Sequence, residues 1–276
     1  MASPAQTVAL RRTGVRLLLR TLVLAYLTFL LVIPVVLILW KTFEDGLGSV
    51  FDSLTTASTM HAIQITVVVA FWSVVANTLF GVTAALILVR REFRGKRVVN
   101  ALIDLPLAVS PVVVGLALVL VYGRLTGVGQ ALAAIGINII FSIPGMVMAT
   151  AFVSIPLVVR AVGPVLEEIG DDQEQAATTL GAGPVQTFLR VTLPSIRGAL
   201  AYGVVLALAR SLGEYGAVAV VSGRLVGRTQ TVTLLVQERY QNFDQQTAYA
   251  CAVLLVLTAV LALLISQALR PKELKS

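Results

Sequence analysis

The chain has 276 residues, 57% of them hydrophobic and only 13% charged. A soluble domain carries about 25% charged residues, so this composition excludes a water-soluble enzyme, and the high apolar content excludes a disordered chain. The net charge of +7 sits in short stretches between apolar runs, a pattern of membrane orientation and not of nucleic-acid binding.

The chain opens on a basic leader, Arg11, Arg12, Arg16 and Arg20. The apolar run at 22–40 is longer than a signal-peptide core, and no small-residue cleavage site follows it. It therefore reads as a retained first helix, with Trp40, Lys41 and Phe43 as an interfacial anchor. A helix needs about 20 apolar residues to cross the hydrocarbon. Five further stretches qualify, at 62–89, 98–122, 139–159, 198–222 and 247–269. A β-barrel is excluded, because its strands alternate in polarity and are far shorter. The expectation is an all-α polytopic protein of six transmembrane helices. Residues 1–21 and 270–276 flank the membrane domain at 22–269, which carries a polar loop at 160–197. Fifteen of the 21 Lys and Arg fall at the N-terminus, in 90–97, in 160–197 and in the tail. The positive-inside rule puts those segments, and both termini, in the cytoplasm.

Prolines punctuate several spans. The run from Asp104 to Pro111 holds Pro106, Ser110 and Pro111. An acid and two prolines in so short a stretch should open the helix, and opened helices line cavities or paths.

The loop at 160–197 carries helix start and stop signals. Asp171 precedes Glu174 by three residues, as in a capping box. A short helix is expected at 173–180, ended by Gly181 and Gly183. Pro184 suits the first turn of a second helix, which Leu193-Pro194 would stop. The acidic cluster Glu167, Glu168, Asp171, Asp172 and Glu174 reads as a solvated or partner-facing surface and not as a metal site, since no histidine accompanies it.

In the fifth span, Arg210 lies near the middle and Glu214 one turn on. A central Arg costs about 2.5–3.5 kcal/mol on insertion scales, so it faces protein or water. The i, i+4 spacing sets both side chains on one face. The pair reads equally as a structural lock and as a gate in a passage, with Gly213 between them. His61 reads as an interfacial histidine and Cys251 as a small packed residue. Arg224, Arg228 and Arg239 read as solvated charges on the outer face. No residue set suggests catalysis. G-x-S-x-G and H-E-x-x-H are absent, as is the G-x-x-x-x-G-K-[ST] pattern of an ATP site.

One spacing is more specific. Gln175-Ala176-Ala177 is followed after three residues by Gly181, and after nine more by Val191, Thr192 and Leu193-Pro194. This resembles the EAA motif of bacterial ABC-importer permeases, with Gln175 where the motif has Glu and Glu174 beside it. In that family the loop is a coupling helix seated on a separate ATPase, so the resemblance implies that Glu174 or Gln175, Ala176, Ala177, Gly181, Val191, Leu193 and Pro194 form the coupling surface. It also implies a type I importer architecture. ATP and Mg would be bound by the partner ATPase, and this chain would bind no cofactor itself.

The segment from Ala209 to Ala217, with Asp104-Leu-Pro, Ser110 to Gly115 and Thr187 to Ser195, is similar to the oxyanion permeases for sulfate/thiosulfate and molybdate. Six spans look more like the sulfate branch, and most like its W-type subunit. The resemblance implies a heterodimer with a homologous T-type permease, two copies of an ATPase and an external sulfate-binding protein, in a bacterial cytoplasmic membrane. It also implies that Asp104, Ser110, Pro111, Arg210, Gly213 and Glu214 line the path or its gate. A molybdate or other oxyanion permease is the alternative. A secondary transporter or channel is a weaker one, since no internal repeat is evident.

Overall fold

A computed structural model describes Arg16 and residues 18–269. Arg11, Arg12 and the tail 270–276 lie outside the described residues. The described residues are helical, without strands. In chain order the helices are α1 (Leu18–Phe43), α2 (Gly46–Thr55), α3 (Ala57–Arg90), α4 (Lys96–Ala108), α5 (Pro111–Tyr122), α6 (Gly127–Ala134), α7 (Ile143–Ile169), α8 (Asp172–Thr179), α9 (Pro184–Leu212), α10 (Gly216–Val221), α11 (Val232–Gln241) and α12 (Gln245–Leu269). Five of them, α1, α3, α7, α9 and α12, are each long and apolar enough to cross a membrane. The pair α4 and α5 supplies a sixth span only if a bend of 112° is counted within it.

The largest buried cluster lies mainly among three helices. Ser73 of α3 donates to the Val147 carbonyl of α7 at 3.1 Å, and further along Gly81 lies against Val158. The two helices therefore run the same way. On the other side of α7, Gly203 of α9 lies against Ala161, and Ser211 meets Ser154 at 3.5 Å. Thus α9 runs antiparallel to α7. Val82, Ala85, Val158, Val162, Ala199 and Ala207 are buried where the three meet. A Cβ on Gly81 would lie 2.7 Å from the Val158 side chain, and one on Gly203 2.9 Å from Ala161. These glycines set how closely the helices approach, as small residues do inside membranes. Gly216 is similarly tight, whereas a Cβ on Gly213 would meet only the Ala209 carbonyl of its own helix, at 3.8 Å.

Two prolines are absorbed without a break. In α1 a wide turn at Thr28–Val32 ends with Ile33 N–H bonded to the Thr28 carbonyl, just before Pro34. In α9 a wide turn at Phe188–Thr192 ends with Leu193 N–H bonded to the Phe188 carbonyl, just before Pro194. A single five-residue turn makes room for a ring that would clash with the carbonyl four residues back. The expectation that Leu193-Pro194 stops a short helix is therefore corrected: the helix from Pro184 runs on to Leu212.

Three other boundaries change. The polar stretch 160–197 is not one loop, because α7 continues to Ile169 and α9 begins at Pro184, leaving 170–183 as the connection. The span expected at 98–122 is bent where Val109 and Ser110 take extended conformations ahead of Pro111; the residue before proline avoids helical geometry. The span expected at 198–222 stops at Leu212 and restarts at Gly216.

Replacing Gly81 by Leu should cost about 1–3 kcal/mol through overpacking and lower the unfolding temperature of the detergent-purified chain. Gly198→Ala, where a Cβ meets nothing within 4 Å, should leave it unchanged or slightly raised.

Candidate coupling and translocation site

The connection 170–183 is built by its glycines. Gly170 (φ +69°) turns the chain out of α7. Gly181 (φ +88°) ends α8, with its N–H on the Thr178 carbonyl at 3.0 Å and the Ala182 N–H on the Ala177 carbonyl at 3.0 Å. That pair of bonds is a Schellman closure, which requires a left-handed residue and so favours glycine.

Glu174 does not cap α8, since Asp171 makes no side-chain capping bond. It points back into the bundle instead. Its carboxylate takes Arg90 Nε at 3.0 Å and the Thr192 hydroxyl at 2.8 Å. Arg90 also donates to the carbonyls of Leu166 at 2.9 Å and Gly170 at 2.7 Å. A guanidinium on the last carbonyls of a helix satisfies orphan acceptors and matches the helix dipole. One ion pair thus ties together the ends of α3 and α7, the short α8 and the start of α9. Arg90 and Thr192 were not singled out from sequence. Arg90 is one of five cations in 90–97, and nothing distinguishes it there.

With Glu174 turned inward, Gln175 and Ala176 face outward and Ala177 is half-buried. Leu180 is 89% exposed and Val185 72%. These large apolar side chains beside Gly181 were also missed as candidates. Val191 and Leu193 are half-buried, Leu193 against the core, and Pro194 is exposed.

The second group of residues lies where the two interrupted helices meet. A Cβ on Gly216 would stand 3.0 Å from Pro111, and one on Gly115 only 2.7 Å from the Ala217 carbonyl. The α5 and α10 segments therefore touch nearly backbone to backbone. Arg210 and Glu214 form an ion pair at 2.6 Å. They do not sit mid-helix, as expected, but straddle the end of α9. Glu214 is 3% exposed. Its other oxygen accepts the Ala217 N–H at 2.9 Å, and its backbone carbonyl accepts from Thr233 at 2.8 Å. One carboxylate so neutralises a charge and caps α10. Ser110 caps α5 through its backbone carbonyl, which accepts the Val113 N–H at 2.9 Å. Asp104 is not brought to Arg210; it pairs with Arg160 of α7, a partner the sequence reading did not name.

The site thus joins a surface helix, bonded into a membrane bundle, to two breaks within that bundle. A family model described as the binding-protein-dependent transport system inner membrane component matches residues 77–275. The chain belongs to this family. A sulfate transport system permease protein CysW of Synechocystis sp. is 45% identical over 258 residues, covering 94% of each chain. The CysW of Escherichia coli K12 is 41% identical, covering 88% of this chain and 83% of its own. A CysT permease of Salmonella typhimurium is 36% identical, covering 87% of each. The relatives of this family member are thus transport subunits and not enzymes, and CysW, the W-type, is the more similar of the two types. Among solved structures, a bacterial ABC transporter for import of the acidic polysaccharide alginate superposes with a TM-score of 0.75, at 18% identity over 96% of each chain. At that identity the likeness establishes the ABC-importer permease fold. Family and fold together make this a multi-pass membrane protein.

Stability of Arg90→Gln, Glu174→Gln and the double variant, measured by unfolding in detergent, should give a coupling energy of about 0.5–3 kcal/mol. Additive losses would show that the ion pair does not join these elements.

Proposed function

We propose that this chain is one of two permease subunits of an ATP-driven importer of sulfate or thiosulfate. The observation that carries this reading is the 45% identity to a sulfate permease across 94% of both chains. The partners are a homologous T-type permease, two copies of an ATPase that bind the ATP and Mg, and an external binding protein that presents the anion. This chain itself binds no cofactor. It spans the bacterial cytoplasmic membrane with both termini inside, a direction supported by the placement of its cations.

In this reading Gln175, Ala176, Ala177 and Gly181, with exposed Leu180 and Val185, seat on the ATPase. Glu174 is the inward anchor of that surface and not its contact. Closure of the ATPase on ATP shifts α8, and the shift passes through Arg90 and α9 to the break at Gly213. The path or gate is formed by Asp104, Ser110, Pro111, Arg210, Gly213 and Glu214. A half-exposed Arg210 whose acid is fixed by a backbone bond is suited to meet a passing anion.

Labelled sulfate uptake, in cells lacking this gene and in cells with it restored, tests the cargo. The expected outcome is uptake that returns with the gene and is competed mainly by thiosulfate. Competition mainly by molybdate would move the chain to the other oxyanion branch.

Gly181→Val places a branched residue at φ +88°. The left-handed geometry costs about 1–2 kcal/mol for a residue with a Cβ, and the side chain stands on the proposed coupling surface. Uptake should fall by an order of magnitude while the amount of inserted protein, read by immunoblot of membranes, holds. Full uptake in this variant would remove 170–183 from the coupling role.

A further inference from the structure

A cavity of about 340 Å³ opens between the last turns of α3, the first turns of α4 and the last turns of α7. Such a volume is at the lower end of those that hold small ligands, about 300–1,000 Å³. Its walls are apolar, with Leu88, Val89, Val159 and Pro164. Its rim is polar, with Lys96, Arg97, Asn100, Arg160 and Glu167. Two of the cations are already engaged, Lys96 with Glu92 at 2.6 Å and Arg160 with Asp104. The side chains of Arg97 and Asn100 have no partner among the described residues.

The cavity lies at the end of the bundle where five cations and one acid occupy 90–97. A basic run next to the end of a membrane helix, beside a basic pocket between helices, is the pattern that attracts anionic lipid. A free mineral anion would use only the rim and leave the apolar walls facing water. A phospholipid uses both, its phosphate at the rim and the start of its acyl chains along Leu88 and Val159. Arg97 offers a planar donor fork and Asn100 an amide N–H. Glu167 repels a bare dianion but accepts from a hydroxyl, which favours a glycerol headgroup over a plain phosphate.

We propose that this cavity binds an anionic phospholipid of the phosphatidylglycerol class, its phosphodiester held by Arg97 and Asn100 and a headgroup hydroxyl accepted by Glu167. The bound lipid ties the first turns of α4 to α7, beside the Arg160–Asp104 pair.

Native mass spectrometry of the full chain, purified in detergent and titrated with phosphatidylglycerol or phosphatidylcholine, tests this. The expected result is one retained phosphatidylglycerol, bound more tightly than phosphatidylcholine. Arg97→Gln should weaken retention about five-fold, the effect of one basic residue near an anionic lipid. Val89→Trp, which fills the cavity without changing charge, should weaken it too. Arg94→Gln, in the same basic run but not on the cavity rim, should change it less than Arg97→Gln does. Equal retention in wild type, Arg97→Gln and Val89→Trp overturns the proposal. So does displacement of the lipid by millimolar sulfate, which would make the cavity a small-anion site.

Discussion

A backbone amide in hydrocarbon has no water to turn to, and four departures from regular helix among the described residues obey that constraint. Pro34 and Pro194 each follow a single wide turn that keeps the helix unbroken. Where the helices do break, at Val109–Ser110 and at Gly213–Tyr215, the freed groups are met from within. Ser110 offers its carbonyl to two following amides, and Glu214 supplies its carboxylate to one amide and its carbonyl to Thr233. The breaks also shield each other, through the close approach of Gly115 and Gly216 to the opposite segment. Neither break would be stable facing lipid, so their pairing is a condition of the fold and not an accident of packing.

Charge is handled by the same economy. The ion pairs at Arg90–Glu174 and Arg210–Glu214 each join a cation to a carboxylate that also does a second task, closing the junction of α8 with α9 in one and capping α10 in the other. An unpaired charge at either place would be costly in so apolar a setting. This makes both sites sensitive to one-sided substitution and tolerant of motion only if the whole network moves together.

Much of this was legible in the sequence, and the rest was hidden for identifiable reasons. Apolar runs located the spans at 22–40, 62–89 and 247–269 to within about five residues, because length and hydropathy determine what can cross a bilayer, whereas α7 and α9 run ten or more residues beyond their apolar stretches. The spacing from Gln175 to Pro194 located the surface helix and its glycine. Pro106 and Pro111 signalled an opened helix. What could not be read was the sense of particular signals. Pro194 looked like a helix stop, since a preceding wide turn leaves no mark in composition. Asp171 and Glu174 had the spacing of a capping box, but the distant Arg90 competes for Glu174 and wins with a charged bond. Asp104 was legible as an acid within an apolar run, but nothing near it in sequence points to Arg160, far along the chain, which pairs with it. Local rules failed where a long-range partner was stronger.

The continuity of α9 through its wide turn has a mechanical consequence. From Pro184 to Leu212 the helix is 29 residues, about 40 Å at 1.5 Å per residue. One end lies at the exposed surface by Gly183, the other at the Arg210–Glu214 pair. It is a lever with its fulcrum where Gly203 presses on α7. A tilt of about 5° about that point displaces each end by roughly 1–3 Å for arms of this length. The charges sit on the shorter arm and shift by about 1 Å, about a third of the 2.6 Å separating them. A single proline-tolerant turn thus decides whether a push at the surface arrives as displacement at the far charges or is lost in a hinge on the way.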